Sequence, residues 1–79
     1  MVHYYVHPHM DQKSNDSETS LGIINAANGV TTCFDACNKI GNCMGFDHEK
    51  GKCYLSKYPW KNNNELRKAN GVDFYGKDT

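Results

Sequence analysis

The chain has 79 residues, 38% of them hydrophobic, with nine basic and nine acidic side chains and a formal net charge of zero. That length allows one domain, residues 1–79, whose core alone is marginal, so a staple is expected. The charge balance argues against a nucleic-acid binder driven by phosphate neutralisation, and no apolar run approaches the roughly 20 residues of a membrane span.

Residues 1–10 alternate and are rich in Tyr, Val and His, which suits a strand. Pro8 cannot donate to a ladder, so this strand is expected to be short or to lie at a sheet edge. Residues 11–20 contain no apolar side chain and read as a polar loop with room to move. Leu21 to Ile24 form a short apolar patch before the Asn25–Gly29 linker. The clearest helix covers residues 31–40. Thr32 followed by Asp35 resembles a capping box, Cys33, Cys37 and Ile40 recur on one face of a 3.6-residue period, and Gly41 offers a left-handed stop. Cys43 to His48 and Lys52 to Ser56 alternate as strands joined through Glu49-Lys50-Gly51, a hairpin signal. Residues 57–70 read as a long polar segment, and Val72 to Tyr75 as a last strand.

All four cysteines lie between Cys33 and Cys53. An even, clustered set in a short chain reads as a disulfide framework in an oxidising environment. Structural zinc sites favour C-x2-C knuckles; the spacings here are C-x3-C, C-x5-C and C-x9-C, so disulfides are the stronger reading. Joining Cys33 to Cys37 would leave the helix unattached to the sheet. Crossed pairs, Cys33–Cys43 with Cys37–Cys53, are feasible but awkward. Nested pairs, Cys33–Cys53 with Cys37–Cys43, clamp both turns of the helix onto adjacent strands, and are preferred.

Three stretches carry a family resemblance: Thr32-Cys33-Phe34-Asp35-Ala36-Cys37, Gly41-Asn42-Cys43-Met44-Gly45-Phe46 and Gly51-Lys52-Cys53-Tyr54-Leu55. Together they resemble the PAN/apple domain, with its C-x3-C helix, a strand of the form Cys-x-Gly-Phe and a strand beginning Cys-Tyr-Leu. Val72-Asp73-Phe74-Tyr75 is similar to that family's final strand. Four cysteines leave no third, terminus-linking disulfide, so the likeness is to the minimal PAN type. The resemblance implies an α+β fold in which one helix lies on a curved antiparallel sheet, the nested disulfides, and a binding role towards protein or carbohydrate in an extracellular setting. The expected architecture is therefore one short helix, residues 31–40, on a four- or five-stranded antiparallel sheet. Its inward layer should include Cys33, Cys37, Ile40, Phe46, Leu55 and Phe74.

Candidate binding residues are Lys52, Tyr54, Lys57, Tyr58, Trp60 and Lys61, where basic side chains, with Lys50, alternate with aromatics that could hold a glycan or anchor a protein contact. The plainer reading has Tyr54 in the core and lysines protecting a sheet edge. His3, His7 and His9 would share a face if residues 3–9 were extended, yet no further ligand completes a metal site; no metal or cofactor is expected. Asn15-Asp16-Ser17 is a glycosylation sequon that matters only on a secretory route. Catalysis is not expected, because the cysteines are committed to bridges and no nucleophile–base or paired-carboxylate arrangement stands out. The N-terminus has neither the basic region nor the apolar core of a signal peptide. Two partner classes follow: a protein or glycan ligand in an extracellular or otherwise oxidising place, or neighbouring subunits of an assembly such as a virion.

Overall fold

The structure, a computed structural model, describes residues 3–12, 20–27, 29–58 and 66–78. Its elements are β1 (His3–His7), β2 (Met10–Gln12), β3 (Ser20–Asn25), α1 (Val30–Lys39), β4 (Gly45–Glu49), β5 (Lys52–Ser56), β6 (Leu66–Lys68) and β7 (Val72–Asp78). Five strands form one antiparallel sheet in the order β1-β7-β4-β5-β3, while β2 and β6 pair as a separate two-stranded ribbon. This is the small α+β fold the sequence led us to expect, with a second sheet added. The short first strand is an edge strand, as Pro8 implied, and the apolar patch around Leu21–Ile24 forms the opposite edge, β3.

The helix starts differently from its sequence signal. Its N-cap is Gly29 at φ 103°, with no side-chain cap hydrogen bond, and the Thr32 amide donates to the Gly29 carbonyl at 3.2 Å. Thr32 therefore lies inside the first turn. The chain turns out of β3 through a Gly29–Ala26 hydrogen bond of 3.0 Å, and only a residue tolerant of positive φ completes that turn into a helix. At the other end Gly41 is not left-handed. Ile40 leaves the helix in an extended conformation, and the Cys43 amide donates back to its carbonyl at 3.0 Å, so the chain reverses at once and brings Cys43 beside Cys37.

Both expected disulfides are present. Cys33–Cys53 spans 5.5 Å between Cα atoms and Cys37–Cys43 spans 5.2 Å. All four cysteines are buried in one cluster with Ala26, Phe46 and Leu55. Around it runs an aromatic set: Phe46 stacks on Tyr75 with centroids 5.1 Å apart, and Phe34 meets Phe46, Tyr75 and Tyr4 edge-on. Edge-to-face and offset contacts of this kind suit the aromatic quadrupole. Ile40 packs on the cluster half-buried. Lys77 reaches from β7 to donate to the Cys37 carbonyl at 3.1 Å, a cation placed at the negative end of the helix.

Cross-strand partners share a sheet face, and the register divides the residues cleanly. Phe46 faces Leu55 and Tyr75 on the helix side; Asp47 faces Tyr54 and Phe74 on the other. Phe74, expected in the helix-side layer, is fully buried on the opposite face, and Tyr75 takes the expected place. The reason is the ribbon. It covers the second face with buried Gln12 and Leu66, beneath which Asp47, Val72 and Phe74 are also buried. Two readings are corrected here: Met10–Gln12 is strand although residues 11–20 read as loop, and Leu66–Lys68 is strand within the polar segment 57–70.

Two stability outcomes are expected. Removing Cys33–Cys53 by paired alanine substitution should cost about 3 kcal/mol, and removing Cys37–Cys43 about 2 kcal/mol, from loop-closure entropy. Gly45→Ala should cost about 1–3 kcal/mol, because its Cβ would lie 2.8 Å from the Tyr75 carbonyl oxygen and 2.9 Å from the Phe74 ring. Urea midpoints measure all three.

Candidate functional site

The face under the ribbon carries a polar cleft. Alternation along β4 projects Asp47 and Glu49 to this side, and the register sets Tyr54 opposite Asp47 and Val72 opposite Glu49. From the ribbon come Asp11 and Arg67, which are themselves cross-strand partners. These six residues line a cleft of about 300 Å³.

Three carboxyl groups and one guanidinium meet there. Arg67 donates from Nε to Asp11 Oδ1 at 2.7 Å and from Nη2 to Oδ2 at 3.4 Å. The Arg67 side chain is 59% exposed, so the pair orients the cleft wall more than it stabilises the fold. Asp47 is only 3% exposed. Its Oδ1 accepts from the Gln12 backbone amide at 3.3 Å. Burial, and next the Asp11 charge, push its carboxyl up to about 7, against the opposing pull of Gln12 hydrogen bonds and Arg67. Burial also raises the Tyr54 phenol, helped by a hydrogen bond to Glu49 and by the charges of Glu49 and Asp47. A carboxyl poised near neutrality in a cleft can both donate and accept hydrogen bonds, and perturbed groups in clefts mark functional sites more often than chance.

The sequence candidates are divided by the structure. Lys52 and Tyr54 project to the cleft side of β5, where their cross-strand partners are Glu49 and Asp47. Lys57 and Tyr58 lie beyond the far end of the same strand. Lys57 is half-buried and Tyr58 exposed, and the Tyr58 amide donates to Ser56 Oγ at 3.1 Å. Trp60 and Lys61 lie outside the described residues, as does the Asn15-Asp16-Ser17 sequon. Tyr54 thus joins carboxylates, where a row of lysines was expected.

The histidines also separate. His3 and His7 lie on β1, but the chain turns at Pro8 and His9, with φ 55° at His9, so the extended run that would align all three ends at His7. His9 Nδ1 instead accepts from the Gly71 amide at 3.5 Å. Among the described residues no three His, Cys, Asp or Glu side chains converge as metal ligands would, and no helix is long and apolar enough to cross a membrane.

No known family model, curated protein or solved structure matches the chain.

Asp11, Asp47, Glu49 and Arg67 were not singled out from sequence. Gly45 and Asp47 read there as small or polar positions of an alternating strand and Glu49 as part of the hairpin connection; Met10 and Leu66, the apolar members of the ribbon, were the available sign that this face is covered. The charge coupling gives a direct expectation. In a carboxyl ¹³C titration, Asp47 should titrate near 7, and Asp11→Asn should lower that midpoint, since it removes a repelling charge and frees Arg67 to face Asp47.

Proposed function

We propose that this chain is a non-catalytic recognition module of minimal PAN type that binds a protein or carbohydrate ligand through its ribbon-side face. The observation that carries the reading is the juxtaposition of the acidic cleft with a hydrophobic rim. Ile23, 61% exposed, is the cross-strand partner of Tyr54, so an aliphatic and an aromatic side chain stand beside a polar recess. Binding sites combine such apolar contact area with a few convergent polar groups. Among the described residues that line the cleft, carboxylates outnumber guanidinium groups, which favours a ligand rich in hydrogen-bond donors: sugar hydroxyls, or the ammonium and guanidinium groups of a basic protein segment.

The resemblance to PAN domains supports this reading, since a helix stapled by nested disulfides onto an antiparallel sheet is the arrangement it implies. Two disulfides also favour an oxidising compartment, which we take to be extracellular. A second reading, a structural component of an assembly such as a minor virion protein, draws on the sheet edges. β1 and β3 bound the sheet and carry the exposed aliphatic residues Val6 and Ile23, and edge strands are natural docking templates.

Binding of the purified protein to glycan arrays and to basic peptides tests the first reading. Tyr54→Ala and Ile23→Asp should each weaken binding at least about tenfold, as expected for anchor contacts, with the disulfides and circular dichroism unchanged. Absence of any ligand binding, together with co-purification in fixed stoichiometry with a particle, would replace it with the second.

A further inference from the structure

Asp47 occupies the junction between the two sheets. It projects from β4, the central strand of five, and its carboxyl meets the Gln12 amide of β2 at 3.3 Å through Oδ1 and 3.5 Å through Oδ2. Both backbone contacts are longer than the roughly 2.7–2.9 Å of a strong charge-assisted hydrogen bond, and together with the Gln12 side-chain hydrogen bond they do not offset burial and the Asp11 charge. The groups facing it add to the difficulty. β2 brings Asp11, β4 itself brings Glu49, and β5 brings Tyr54, with Lys52 on the same side; β6 brings Arg67, already paired to Asp11. On the β7 side stand Val72 and Phe74, with the His7 ring of β1 beyond, 6.4 Å from that of Phe74.

We propose that Asp47 is a proton-operated latch between the sheets: when protonated it lets the β2–β6 ribbon close over the main sheet, and when ionised it makes the ribbon lift to admit water. An ionised carboxylate at 3% exposure must be hydrated or neutralised. The other face of the sheet is fixed by two disulfides and the aromatic cluster. The ribbon consists of two three-residue strands, the kind of element that opens first. Lifting it separates Asp11 and Arg67 from Asp47, Glu49 and Tyr54, and so widens the cleft. The latch stands whether or not the cleft holds a ligand.

The position of the transition follows from linkage. The folded carboxyl is raised to about 7, against about 3.9 in the unfolded chain. Below 3.9 both states hold the proton and Asp47 is neutral to stability. Between the two values only the unfolded chain releases it, so stability falls as pH rises; above about 7 the loss is complete.

Urea denaturation from pH 4 to 8.5 on the intact protein and on Asp47→Asn, with backbone amide exchange on both, tests the latch. Relative to Asp47→Asn, the folding constant of the unmodified protein should fall by up to about tenfold per pH unit between 4 and 7, leaving the variant the more stable at pH 8. Protection at Met10–Gln12 and Leu66–Lys68 should drop between pH 5 and 8 while β4 and β5 keep theirs. Should the variant fail to fold, the native Asp47 titration and the native exchange profile still decide. A carboxyl midpoint near 4, ribbon protection independent of pH, or loss of protection in all strands together would overturn the latch.

Discussion

A ten-residue helix has too few internal hydrogen bonds to persist in water by itself. Here it is held by sulfur at both of its buried turns, Cys33 to Cys53 on β5, the second strand of the hairpin, and Cys37 to Cys43, which begins the chain's return towards β4. The other helix-side features lie close to that clamp. Phe34 is placed between Tyr4, Phe46 and Tyr75 because the helix is pinned across β4 and β5, and Lys77 reaches a helix carbonyl that would otherwise lack a partner of that kind. The covalent constraint substitutes for the large apolar core that so short a chain lacks.

One face of the sheet is thereby committed to structure, and chemistry collects on the other. Disulfides, stacked rings and aliphatic side chains fill the helix side. Carboxyls, a guanidinium and a phenol line a cleft on the ribbon side, beside buried Leu66, Val72 and Phe74, where two strands of three residues each close over the sheet. A rigid half thus positions a lighter half whose polar groups are only partly compensated. Such an arrangement separates the demands of stability from those of recognition, because changes on the ribbon side leave the stapled core intact.

The parts legible in the sequence were those with a local chemical signature. C-x3-C on a helical face, an alternating hairpin around Glu49-Lys50-Gly51, and Pro8 ending a first strand each rest on neighbouring residues. What could not be read depended on partners far along the chain. Three-residue strands are too short to show a period, so β2 and β6 were hidden in polar sequence. Gln12 is buried although its type seldom is, because a strand distant in sequence covers it. Phe74 and Tyr75 are adjacent and both inward-facing, which alternation forbids for a sheet covered on one side and permits for one covered on two. The same omission displaced the candidate site: Tyr54 was read with nearby lysines, whereas its spatial neighbours Asp47, Asp11 and Arg67 come from three other strands. The expected caps at Thr32 and Gly41 failed for a related reason, since the chain's entry from β3 and its immediate reversal at Ile40 decided where the helix begins and ends.

The strand latest in sequence, β7, lies inside the sheet, between β1 and β4. The first strand therefore has no ladder to join until β7 is in place, while the helix and hairpin can assemble beforehand from residues close together in the chain. Until β7 docks, β1 stays unpaired with Tyr4 and Tyr5 uncovered. Assembly is thus divided into an early, locally closed half and a late insertion that zips both sides of β7 at once.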